Sequence, residues 1–331
     1  MKSQSFNINN VYLDSVGTIV SKKEKEGPLG KYFNQYIDDY YYGCESFEKA
    51  QIKLAKASIC KALDKSIYNI DDIKICIAGD LSNQIFSSTC AIKEQYFPFI
   101  GIYAACASGI LAMIIASIYM NQCNLDNALV FTSSHVCVSE RQLRYPIEYA
   151  SILKDSNTIT ITGACSLILT NKQKLVKISK ATLGKVIDVL SKNVNDMGTI
   201  MAYAAIDTFL THLENNNETI DDYDLIVTGD LSEYGSKVFI EELLDKNIDI
   251  TNKYVDCGAS IYDSETQKTA SGGSGPACVM CVTFSYILNK LIRRQIKRVL
   301  VIATGALHSQ ISFQQKENVP SIAHAIVLEV E

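Results

Sequence analysis

The chain lacks a basic excess: 31 Lys and Arg stand against 36 Asp and Glu over 331 residues, a formal net charge of −5. That balance argues against a general nucleic-acid binder, which would show a basic face. Only 20% of residues are charged, and no long segment combines low hydropathy with high charge, which argues against disorder. The opening MKSQSFNINN has no apolar stretch of the kind a secretory signal needs, so an unexported protein is expected. Histidine is scarce, with four copies, at 135, 212, 308 and 324. Between Gln95 and Leu125 there is no charged side chain at all, a length that can span a bilayer. Pro98, Gly101 and Gly109 interrupt that stretch, and Ala, Ser and Cys dilute its hydropathy. A buried strand followed by a buried helix is the expectation there.

Cysteine is plentiful. Eleven copies at irregular spacings, without an export signal, read as reduced thiols of a cytosolic protein. Cys60, Cys76, Cys123 and Cys165 sit in apolar runs, where cysteine behaves as a small hydrophobe. Cys278-x-x-Cys281 has a zinc-like spacing, but no second pair follows and no metal site is expected. Hydrophobic residues make up 47%, enough for one large core or two medium ones.

A repeat organises the chain. Ile70–Ser82 reads IDDIKICIAGDLS and Ile220–Ser232 reads IDDYDLIVTGDLS: an acidic turn, a short β-branched run, then Gly-Asp-Leu-Ser. Two further pairs follow in the same order, Tyr103–Met120 with Ser271–Leu288 and Ala128–Ser134 with Arg298–Thr304. A period of about half the chain is too long for a solenoid. It implies two similar α/β halves, 1–175 and 176–331. Apolar spacing predicts helices over 47–63 and 197–213, and uninterrupted runs predict strands within 73–78, 128–131, 225–228 and 299–303. The wholly apolar helix after Cys106 cannot face water, which places it between two sheets and gives five layers. Asp80 and Asp230 recur with the repeat and read as structural turn residues.

The strongest local signal is Ala105-Cys106-Ala107-Ser108-Gly109, which opens that helix. A cysteine at a helix start meets N–H groups and a dipole that favour thiolate, making Cys106 a candidate acyl-transfer nucleophile. The bland alternative is a buried, inert thiol.

A duplicated α/β chain with Cys-Ala-Ser-Gly at such a helix resembles the thiolase superfamily, including the ketoacyl synthases. Within it the chain resembles the SpoVAD family of sporulation proteins, through Ala78–Gln84 (AGDLSNQ), Thr132–Tyr149 (TSSHVCVSERQLRYPIEY), Gly272–Cys278 (GGSGPAC) and Ala303–His324 (ATGALHSQISFQQKENVPSIAH). The resemblance implies a thiolase-like α/β fold with two mixed sheets around buried helices. It also implies binding of dipicolinic acid, alone or as its calcium chelate, by a soluble component of the SpoVA apparatus. The implied protein partners are the membrane subunits of that apparatus and a second copy of the chain. The implied location is the forespore cytoplasm against the inner spore membrane, and no cofactor is implied. Working thiolases carry a histidine after a Gly-Gly turn, and Gly272-Gly273-Ser274-Gly275-Pro276 has none. Non-enzymatic binding is therefore preferred over a divergent ketoacyl synthase using Cys106, or a scaffold with a vestigial pocket.

Dipicolinate is a small planar dianion, so a site for it needs cations or N–H donors around an apolar slot. His135, Arg141 and Arg144 follow a predicted strand, and arginine's planar fork suits a carboxylate. Gly272 and Gly273 offer unobstructed N–H groups. With Cys106, these are the expected ligand-binding residues. Salt bridges to Glu140 or Glu148 are the competing role for the two arginines.

Overall fold

The protein is described by a computed structural model covering residues 4–143 and 153–330. The first part of the chain forms β1 (Gln4–Asn7), β2 (Tyr12–Ser21), α1 (Lys22–Lys25), β3 (Gln35–Ile37), α2 (Phe47–Leu63), β4 (Cys76–Asp80), α3 (Phe86–Ile92) and β5 (Phe99–Gly101). It continues through α4 (Ser108–Cys123), β6 (Asn127–Ser134), α5 (Val136–Leu143), β7 (Thr158–Thr160), β8 (Gly163–Thr170) and β9 (Val176–Leu183). Then come α6 (Met197–Asn216), β10 (Leu225–Thr228), α7 (Ser232–Leu244), β11 (Tyr254–Asp256), α8 (Cys257–Ile261), α9 (Ser264–Gln267) and β12 (Gly272–Ser274). The last elements are α10 (Pro276–Val282), α11 (Leu288–Ile292), β13 (Arg298–Ala306), α12 (Gln310–Gln314) and β14 (Ser321–Val330). A π-helical turn, Thr283–Ile287, joins α10 to α11.

Helix α2 occupies the span that its apolar spacing predicts, with Ser46 capping its start by accepting from the Lys49 amide. Strands β4, β6, β10 and β13 fall on the four predicted runs and are almost wholly buried, as helices on both faces require.

The strands fall into two groups of five in matching order, β5-β4-β6-β8-β2 and β11-β10-β13-β14-β9. In each group the first two pairings are parallel and the last two antiparallel. The groups meet through a single backbone pair, Tyr12 with Lys177. The two expected sheets are thus joined at their edges into one continuous twelve-stranded ladder, with β1 and β3 alongside.

Five layers follow. Helices α2 and α3 cover one outer face and α6 and α7 the other, while α4, α10 and α11 fill the space between. Ala105–Cys123 is long and apolar enough to cross a membrane by length and composition. In the fold α4 packs against β4, β6, β13 and β14, and Ile110, Met113 and Ile114 are fully buried. Each such side chain stabilises the fold by about 1.5–3 kcal/mol. Gly109 lets α10 cross closely, since a Cβ there would stand 2.4 Å from Met280 Cγ.

Candidate functional site

The turn before α4 is tightly built. Ala105 adopts φ +48°, and Ser108 closes the turn by donating to the Ala105 carbonyl (2.7 Å) while accepting from the Ala104 amide (3.0 Å). Gly305 of β13 presses on it from the second strand group, where a Cβ would lie 2.4 Å from the Ala104 carbonyl oxygen. Cys106 is thereby held at the seam of the two groups, at the floor of a chamber of about 90 Å³.

The chamber's walls are Leu81, Leu143, Val194, Met197 and Met201, and its polar groups are Asn157, Thr158, Thr160, Asn195, Ser274 and the two carboxylates of Glu140 and Asp230. Leu81, Tyr103, Leu143 and His308 also line a wider outer cleft of about 600 Å³, into which the chamber opens. Among the described residues neither space is lined by lysine or arginine.

Asp230 reaches the thiol across the seam. Its carboxylate accepts from Thr304 Oγ1 (2.7 Å) and the Gly275 amide (3.1 Å), and the Cys106 thiol is its third partner. Burial raises the Asp230 pKa to about 6 against these hydrogen bonds. Burial first and the Asp230 charge second push the Cys106 pKa well up. The expected thiolate stabilisation by the helix start is therefore outweighed, and Cys106 is a protonated thiol at neutral pH.

The other expected ligand residues stand elsewhere. His135 is buried beneath Tyr40 and Phe47, with its Nε2 bonded to the Tyr40 carbonyl (2.8 Å) and its Nδ1 accepting from the Cys137 amide (3.2 Å). Both ring nitrogens are committed, one to the loop before α2 and the other to the first turn of α5, and His135 does not line the chamber. Arg141 turns away to pair with Glu48 of α2, and only its carbonyl faces the outer cleft side, accepting from Gln310 Nε2 (3.4 Å). Its partner is Glu48 and not the sequence-adjacent acids. Arg144 lies outside the described residues. The Gly272 amide donates to the Thr269 carbonyl (3.0 Å), and β12, with Gly273 in it, pairs with β7. Close contacts with Gly258 at Gly272 and with Ile261 at Gly273 require glycine at both positions for packing. The neighbouring Ser274 and Gly275 face the site instead.

Two site residues are absent from the ligand set that the sequence suggests. His308 is the histidine at the chamber mouth, packed edge-on against Phe313, and burial lowers its pKa. His212 and His324 do not line the chamber: His212 bonds Thr182 (2.6 Å) and Tyr223 (2.7 Å), and His324 accepts from the Gly184 amide (3.3 Å). Asp230 is the second, and its sister residue Asp80 explains why its repeat suggests a structural role. Asp80 accepts from the amide and hydroxyl of both Ser82 and Ser88, and so closes the turn into α3.

Comparison with known proteins fits this architecture. The chain is 39% identical over 319 residues, 96% of its length and 94% of the relative's, to the Stage V sporulation protein AD of Bacillus subtilis (strain 168). Its structure superimposes with a TM-score of 0.63 on a variant of Xanthomonas campestris OleA bound with cerulenin, at 14% identity and covering 98% of each chain. For the 3-oxoacyl-[acyl-carrier-protein] synthase III of Aquifex aeolicus VF5 the TM-score is 0.56 at 13% identity, over 96% of this chain and 99% of that one. At those identities the likeness establishes the thiolase fold. Residues 2–329 match the family described as Stage V sporulation protein AD (SpoVAD), and the chain belongs to that family.

Proposed function

We propose that this SpoVAD-family chain binds dipicolinate, preferably as its calcium chelate, across the Cys106 chamber and the outer cleft that shares its lining, and that it does so without acyl transfer. The observation that carries the reading is the contact between Cys106 and Asp230. A nucleophilic cysteine needs a neighbour that favours thiolate, and a buried carboxylate does the opposite. Apolar walls of Val194, Met197 and Leu143 suit a flat ring, with hydroxyls and amides at its edge.

Charge favours the chelate over the free dianion. The Asp230 carboxylate would repel a bare dicarboxylate, whereas calcium takes six to eight oxygen ligands and accepts carboxylates beyond those of dipicolinate. In this role the protein serves the apparatus that moves dipicolinate into the developing spore, docked on its membrane subunits.

Calorimetric titration of dipicolinate with and without calcium tests the binding. Saturable binding that tightens with calcium and weakens in Asp230→Ala is expected; no binding in either condition removes the reading. Incubation with radiolabelled acetyl- and malonyl-CoA should leave Cys106 unmodified. A covalent adduct there would make the protein an acyltransferase.

A further inference from the structure

A second cleft lies where the two strand groups part. Among the described residues, after the Tyr12–Lys177 pair β2 has no strand on its outer edge until Ile19 meets Gln35 of β3. A β-bulge between Leu13 and Ser15 turns the strand within this gap. The resulting cavity holds about 440 Å³, within the range of small-molecule sites. One wall is the π-helical turn and α11, through Phe284, Leu288 and Ile292. π-Helical insertions are frequent at functional sites.

The chemistry of this cleft is the reverse of the Cys106 chamber. Two ammonium groups, Lys65 and Lys174, line it, against one carboxylate, Asp14. Asp14 is taken by Lys174 (2.7 Å), by the Ser66 hydroxyl (2.5 Å) and by the Ile67 amide (3.2 Å). Among the described residues Lys65 donates to a neutral acceptor, the Val16 carbonyl (3.1 Å). Lys65 is exposed overall; burial of part of its side chain, then the nearby Lys61, lowers its pKa against the opposing charge of Asp64, so an anion on the cleft side would be favoured. Ser15 lines the same cleft, buried, with a hydroxyl that has no hydrogen-bond partner among the described residues. Leu13, Val16, Leu175, Val176, Leu288 and Ile292 supply apolar walls, with Leu175 and Ile292 at the exposed rim.

We propose that this seam cleft is a second binding site, for a small amphipathic carboxylate whose head meets Lys65 and whose apolar body lies along α11. The site stands independently of the Cys106 chamber and its ligand. Octanoate is the probe, titrated into the full-length protein by calorimetry with 1-octanol as the uncharged control. Saturable octanoate binding is expected, with octanol weaker by about tenfold or more, the effect of one charge-assisted contact. Lys65→Met should weaken octanoate by a similar factor, while Asp230→Asn leaves it unchanged. Ile292→Asp, an exposed rim substitution, should also weaken it and serves if Lys65→Met fails to fold. Absence of saturable binding, equal affinity for octanol, full affinity in the folded Lys65→Met or Ile292→Asp protein, or loss of binding in Asp230→Asn would each overturn the proposal.

Discussion

The sequence Gly-Asp-Leu-Ser occurs twice at equivalent strand ends, and the two copies do different work. Asp80 commits both carboxylate oxygens to Ser82 and Ser88, inside its own strand group. Asp230 gives none to the following turn. The amides of Leu231 and Ser232 are taken instead by Asp256 of β11 (both 2.9 Å), which also accepts from Ala259 (2.8 Å) and Thr228 (2.7 Å). Asp256 has assumed the local duty that Asp80 performs, and Asp230 is released to face Cys106 across the seam. A duplicated motif acquires a ligand-facing group when a third residue relieves one copy of its structural task.

The sharpest way to break this comparison is to remove the capping carboxylates. Asp256→Ala strands three amides and a hydroxyl, and urea denaturation should show a loss of roughly 3–5 kcal/mol. Asp80→Ala should fall in the same direction and Asp230→Asn should cost far less. A loss below about 1 kcal/mol for Asp256→Ala would leave the proposed relief without support.

The glycines of the two copies come next. A Cβ on Gly79 would stand 2.3 Å from the Ile102 carbonyl oxygen, whereas on Gly229 its nearest neighbours are 3.3 Å away. Gly79→Ala should therefore cost about 2 kcal/mol or more and Gly229→Ala about half that or less. Equal costs would mean the two turns are under the same constraint.

A third test uses pH. Asp230 has a folded pKa of about 6, above the unfolded carboxylate value of about 4, so the folded state holds this proton more tightly. Keeping Asp230 ionised costs stability in full above its folded pKa, and the cost is relieved as pH falls from about 6 toward about 4. Wild type should gain on the order of 1–2 kcal/mol relative to Asp230→Asn across that window. A parallel pH dependence of the two proteins would place Asp230 in an ordinary, solvated setting.

The smallest effect is expected at Arg141. Its half-exposed pair with Glu48 contributes about 1 kcal/mol or less, and Arg141→Ala should leave dipicolinate affinity unchanged. A tenfold loss of affinity would return Arg141 to the ligand site.

Much of the fold was legible because it rests on local periodicity. Helix α2, strands β4, β6, β10 and β13, the buried helix α4 and the two-fold repeat all follow from which residues must leave water. The Cys106 turn was legible from its small residues. Asp230 was not, because a repeated residue reads as structural, and its release depends on Asp256, distant in sequence. A trace was present: the second copy keeps Ser232 at the place of Ser82 but has Val238 where the first has Ser88, and so lacks the second serine that Asp80 binds. Proximity in sequence misled for His135 and Arg141, since a helical turn after β6 points one into a buried aromatic cluster and the other to α2.

The central claim is that burial and, after it, the Asp230 charge hold Cys106 as an unreactive thiol. It is tested most directly by the rate of Cys106 alkylation by iodoacetamide from pH 6 to 10, read by mass spectrometry of the Cys106 peptide. The account predicts no inflection below the ordinary thiol range in wild type, and faster alkylation in Asp230→Asn by about tenfold, as the neighbouring charge is removed. An inflection near neutral pH in wild type, lost in Asp230→Asn, would instead make the pair an activated nucleophile and contradict the non-enzymatic reading.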